Sequence, residues 1–78
     1  MTTKIIFNDN VDVVVIRKAM GLGVDSFAAI MGVSKRMVDD WEKGRKSPKG
    51  AAKNLLIVAR ENPDMVKEVL LNTVKIER

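Results

Sequence analysis

Apolar residues recur along this chain at intervals of three and four, in short bursts separated by glycine, asparagine or proline. That rhythm predicts five short helices. The first runs through Val11 to Met20, with Val13, Ile16, Arg17 and Met20 on one face, Asn8 or Asn10 placed to cap it and Gly21 to end it. Its valine run lowers helix propensity, because β-branched side chains lose rotamer freedom. The second has Asp25 near its start and buries Phe27, Ala28 and Met31, with Gly32 placed as its left-handed C-terminal residue. Ser34 is a favoured N-cap for the third, whose inward stripe is Val38 and Trp41 and which Gly44 closes.

Ser47 and Pro48 read as a cap followed by proline at the first helical position of a fourth helix, which continues to about Glu61 with Ala52, Leu55, Leu56 and Ala59 inward. Asn62-Pro63 repeats that signal for a fifth helix reaching Asn72 or Val74, with Val66, Val69, Leu70 and Val74 apolar. Ahead of all five, Lys4-Ile-Ile-Phe7 is a β-prone run ended by Asn8-Asp9-Asn10, read as an edge strand or an apolar arm. The expectation is an all-α chain forming one domain over residues 1–78, with at most one short strand or arm at its start.

Composition narrows the chemistry. The chain has 78 residues, no cysteine and no histidine. Disulfides and thiolate metal sites are therefore excluded, and the commonest metal ligand and acid–base catalyst is absent. Ser34 has no histidine to activate it, so it reads as a cap and not as a nucleophile. No cofactor, metal site or catalytic constellation is expected, and the chain reads as a non-enzyme. No apolar run reaches the length of a membrane span, and the apolar run in the opening residues is too short for a signal peptide. A soluble, cytoplasmic protein is the expectation.

The net charge is +4. Much of the excess falls between Ser34 and Gly50, where Lys35, Arg36, Lys43, Arg45, Lys46 and Lys49 stand against Asp39, Asp40 and Glu42. Concentrated positive charge beside a helix–turn–helix pattern is the footprint of a phosphate binder. On charge alone, a solvated lysine-rich turn is the better account.

The ordered set Gly21-Leu22, Phe27-Ala28, Gly32-Val33-Ser34, Val38, Trp41-Glu42, Gly44-Arg45-Lys46 and Pro48 resembles the Cro/cI-type (Xre family) helix-turn-helix domain. The continuation Pro48-Lys-Gly50-Ala-Ala-Lys-Asn-Leu55-Leu56, then Asn62-Pro63, resembles the branch that holds the antitoxins of HigBA-type toxin–antitoxin pairs. The resemblance covers roughly Val11 to Leu70. It implies a compact five-helix, lambda-repressor-like fold whose third helix enters the major groove of double-stranded DNA. Lys35, Arg36, Met37 and Asp40 would then face base edges, with arginine suited to guanine, a carboxylate to cytosine N4, and Met37 either touching a thymine methyl or filling space. Lys43, Arg45, Lys46 and Lys49 would contact phosphates, fixing register without reading sequence. The resemblance also implies a docking ion pair between Arg17 and Glu42.

Some positions depart from that pattern. Where the second helix usually opens with Ser or Thr and then Gln, this chain has Gly23 and Val24, so a side-chain phosphate clamp is missing. Asp39 and Asp40 follow Lys35 and Arg36 by four residues, a spacing that allows two intrahelical ion pairs on a solvated face. With the rest of the motif, the favoured reading is a groove-facing surface whose acids reject wrong bases and reduce non-specific binding. The leading expectation is a transcriptional regulator, a repressor binding a palindromic operator as a homodimer. The alternatives are an antitoxin that also neutralises a toxin partner, for which Ile5-Ile6-Phe7 offers a strand to pair, and a helix-turn-helix module for protein contact that has lost DNA binding.

Overall fold

The computed structural model describes residues 11–73 and places five helices in them: α1 (Val13–Ala19), α2 (Val24–Met31), α3 (Lys35–Glu42), α4 (Gly50–Glu61) and α5 (Pro63–Thr73). No strand occurs among the described residues, and the architecture is all-α. The β-prone run Lys4–Phe7, the candidate caps Asn8 and Asn10, and Val74 lie outside them. The cap that α1 uses is Asp12, whose carboxylate accepts from the Val15 amide at 3.2 Å.

The helices fold because each has one apolar stripe and these stripes converge. Ile16, Met20, Phe27, Val38 and Leu56 are the largest side chains that are completely buried. They come from α1, its C-cap, α2, α3 and α4, so the core is built by four helices. Helix α5 adds Val66 and packs on α4 and α2, while α1 packs on α3 and α4. Ala52, Leu55 and Leu70 sit partly buried around that core, whereas Val69 is exposed. The expected inward face of α5 is therefore narrower than its sequence suggests.

Three successive helices end in the same way. After α2, the Val33 amide bonds back to the Ala28 carbonyl at 3.0 Å and the Gly32 amide to Ala29 at 3.2 Å. Leu22 and Gly21 repeat this pair of bonds after α1, and Arg45 and Gly44 repeat it after α3. These bonds satisfy carbonyls that a helix end would leave open, and they require a left-handed residue at the turn. Gly32 supplies it with φ 71° and ψ 30°.

The start of α4 differs from the sequence expectation. Ser47 and Pro48 do not cap and open it; the helix begins at Gly50, with Lys49 in the cap position and no side-chain cap bond. The reason is the backbone: Gly50 has φ 59°, and a right-handed helix cannot continue back through such a residue to Pro48. At α5 the same kind of signal holds. Pro63 is the first helical residue, and Asn62 Oδ1 accepts from the Met65 amide at 3.3 Å.

Candidate nucleic-acid interface

Helix α3 is short and has two distinct faces. Ser34 holds its start: the backbone is extended (φ −77°, ψ 158°) and Oγ accepts from the Met37 amide at 3.0 Å. Ser34→Ala should lower stability by about 1 kcal/mol, read as a shift in the urea midpoint with an unchanged slope. Val38 and Trp41 face the core, and Trp41, 8% exposed, is an anchor rather than a stacking platform. Lys35 and Arg36 project from the first turn, both exposed. Met37 is half-buried and packs against the core.

The far end of α3 is fixed to α1. Arg17 Nε donates to Glu42 Oε2 at 2.7 Å and Nη2 to Oε1 at 3.2 Å, while Nη1 donates to the Leu22 carbonyl at 3.1 Å. One planar guanidinium thus joins α1, the turn after it and the last residue of α3. The hydrogen bonds that Arg17 donates to Glu42 push its pKa further up.

The two intrahelical pairs allowed by the spacing do not form. Lys35 Nζ bonds Asp25 Oδ1 at 2.9 Å, across the turn from α2. Asp39 takes Lys43 at 3.1 Å on Oδ1 and Arg45 at 2.9 Å on Oδ2. A base placed four residues before an acid is the weaker orientation on a helix, and an acid before a base the better one. Asp39 accordingly reaches forward to Lys43 and not back to Lys35. Asp25 is the residue that sequence spacing missed: only the helix–turn–helix geometry brings it beside Lys35. Arg36 has no ion-pair partner among the described residues.

Asp40 is also placed differently from the expectation of a base-facing carboxylate. It is 6% exposed, the one buried charged residue among those described. Asp40 stands one turn beyond Arg36 on the same helix, so the two share a side of α3. After Gly44, at φ 75°, the chain folds back over that end of the helix, and the Arg45 amide bonds the Asp40 carbonyl at 2.8 Å. The Arg45 guanidinium then covers the Asp40 carboxylate at 3.2 Å, with Lys46 Nζ at 4.0 Å from its other oxygen. Asp40 therefore anchors the basic loop.

Lys43, Arg45 and Lys46 remain more than half exposed beyond this anchor, and Lys49 is exposed at the start of α4. The hydrogen bonds from Lys43, then from Arg45, hold the Asp39 carboxyl below its ordinary value of 3.8. A group whose folded pKa is depressed stabilises the fold above its unfolded pKa, and that contribution is lost as pH falls through the folded value. Carboxyl-carbon NMR should place the Asp39 midpoint below 3.8 in the parent and nearer the ordinary value in Lys43→Ala.

Gly23 caps α2 by backbone geometry alone, and Val24 packs partly into the core. The missing side-chain clamp is thus not replaced, and the exposed carboxylate of Asp25 stands at this helix start. Among the described residues there is no cluster of His, Cys, Asp or Glu able to hold a metal ion.

The chain matches no protein-family model. It is similar to the uncharacterized HTH-type transcriptional regulator YiaG of Escherichia coli strain K12, at 38% identity over 55 residues, covering 70% of this chain and 57% of that protein. It is also similar to antitoxin HigA-2 of Vibrio cholerae, at 29% identity over 58 residues, covering 74% of this chain and 56% of that one. The chain therefore spans a little over half the length of these curated relatives. Neither carries the name of an enzyme. With the observed helix order and the Gly32–Ser34 turn between α2 and α3, these similarities support an Xre-type helix-turn-helix domain resembling the HigA antitoxin branch.

Proposed function

We propose that this chain is a sequence-specific, double-stranded DNA-binding regulator that inserts α3 into the major groove. The observation that carries the reading is Arg36: an exposed guanidinium in the first turn of α3, without an ion-pair partner among the described residues, opposite a face locked into the core by Val38 and Trp41. An arginine so presented can take guanine O6 and N7 together, which lysine cannot match. Lys43, Arg45, Lys46 and Lys49 contact phosphates and set the register of that insertion. In this reading residues 1–78 act as one cytoplasmic DNA-binding unit; no helix among the described residues is long and apolar enough to cross a membrane.

The regulator binds as a homodimer on a palindrome, with half-sites about one helical turn (~34 Å) apart. Exposed Val58 on α4 and Met65 and Val69 on α5 support a second copy, since they offer apolar surface away from α3. Repression needs only occupancy of the operator, and occupancy is what such a surface supplies. Selection of bound sequences from a random duplex library tests this directly. An enriched palindrome supports the reading, an enriched single site removes the dimer, and no enrichment removes sequence recognition.

A second reading, an antitoxin that also neutralises a toxin by protein contact, is favoured by the similarity to HigA-2. Co-expression with the product of an adjacent gene should relieve growth arrest by that product. Arrest that persists at matched expression rules the reading out.

A further inference from the structure

The cations proposed to hold phosphate are already holding an anion in the free protein. Asp39, on α3, has both carboxylate oxygens occupied, Oδ1 by Lys43 Nζ at 3.1 Å and Oδ2 by Arg45 Nη1 at 2.9 Å. Two oxygens of one anionic centre, each taking a separate cation, reproduce the contacts a phosphodiester would make with the same pair. Arg45 has a second, buried anchor in Asp40 at 3.2 Å, so its position does not depend on Asp39. The side chain of Asp39 is 45% exposed and belongs to the same surface as the cations it holds.

We propose that Asp39 is an internal phosphate surrogate that limits the affinity of this surface for nucleic-acid backbone. The inference rests on the DNA-binding reading above and adds a residue to it. When a duplex arrives, Lys43 and Arg45 must exchange a carboxylate for a phosphate. The exchange yields less than a fresh contact and leaves Asp39 facing the polyanion. Binding through phosphates draws its strength from released counterions. Cations already neutralised within the protein contribute less to that release, so the salt dependence is shallow as well as the affinity low. Asp39 is a positioning residue in this scheme, because it acts through Lys43 and Arg45 and reads no base.

The test is a salt titration of duplex binding with the full chain and two variants. Asp39→Asn keeps the shape of the side chain and removes its charge. Asp64→Asn makes the same change in net charge on α5, in a residue with no assigned part in the interface. Fluorescence anisotropy with a random-sequence duplex should show Asp39→Asn binding about two- to fivefold more tightly than the parent at low salt. Its log–log salt slope should steepen by about 1, for the Lys43 cation set free, since Arg45 keeps its bond to Asp40. Asp64→Asn should match the parent at ~0.1 M salt, where more distant charges are screened. A change in fold stability alone would not steepen the salt slope. Equal or weaker binding by Asp39→Asn, or the same gain in Asp64→Asn, overturns the proposal while leaving DNA binding intact. Absence of duplex binding by both the parent and Asp39→Asn overturns it together with the DNA-binding reading. Binding that appears only in Asp39→Asn supports it in its strongest form.

Discussion

Glu42→Ala should lower the stability of the domain by about 2–4 kcal/mol, with a fall in Tm on the order of 10–20 °C. The change leaves the Arg17 guanidinium, 16% exposed at its side chain, with only the Leu22 carbonyl as partner. Removing one member of a fully buried pair typically costs ~3–5 kcal/mol, and the residual exposure of Arg17 lets water relieve part of that. A domain of this size has a net stability of only about 5–10 kcal/mol, so the loss is large. A rescue is expected when both charges are removed together. Arg17→Met combined with Glu42→Leu removes both charges and keeps apolar volume, and should recover most of the lost stability. Urea denaturation of the two variants checks both expectations. A single variant within about 0.5 kcal/mol of the parent would show that the pair does not fix α1 to α3.

Arg36→Ala should weaken binding to the selected operator by about 1–3 kcal/mol, roughly 5- to 160-fold, and leave binding to random duplex nearly unchanged. The residue is exposed and free of ion pairs among those described, so its removal should not disturb the fold. Lys46→Ala supplies the contrast. Lys46 is exposed and only loosely placed near Asp40, at 4.0 Å. Its loss should weaken all duplexes alike and reduce the salt slope by about 1. Equal losses on operator and random DNA for Arg36→Ala would turn that residue into a phosphate contact and leave base reading unsupported.

Local signals predicted the frame of this fold well. Gly32 as a left-handed stop, Ser34 as a cap, Asn62-Pro63 as a start and Trp41 as a core anchor are each decided within a few residues of sequence. Interactions over that range depend on backbone geometry and one or two side chains. The entry to α4 failed for the same physical reason: a positive φ at Gly50 outweighs the Ser47-Pro48 signal, and composition does not reveal which glycine adopts it. The electrostatics of the surface were less legible. Periodicity placed Asp39 and Asp40 beside Lys35 and Arg36. The turn at Gly44 and the approach of α2 to α3 instead gave Lys35 to Asp25, and Asp39 and Asp40 to the loop cations. Both are consequences of tertiary geometry, which gives the two acids partners other than those the spacing allowed. Arg36 is left as the cation of α3 most available to a base.

The most direct measurement is an NMR titration of the uniformly labelled protein with the selected duplex. The account predicts that the largest changes fall on the backbone amides of residues 35–37 and on the Arg36 side-chain Nε, with smaller changes at Lys43, Arg45 and Lys46. Changes concentrated on α4 and α5, with the first turn of α3 silent, would contradict the placement of α3 in the groove.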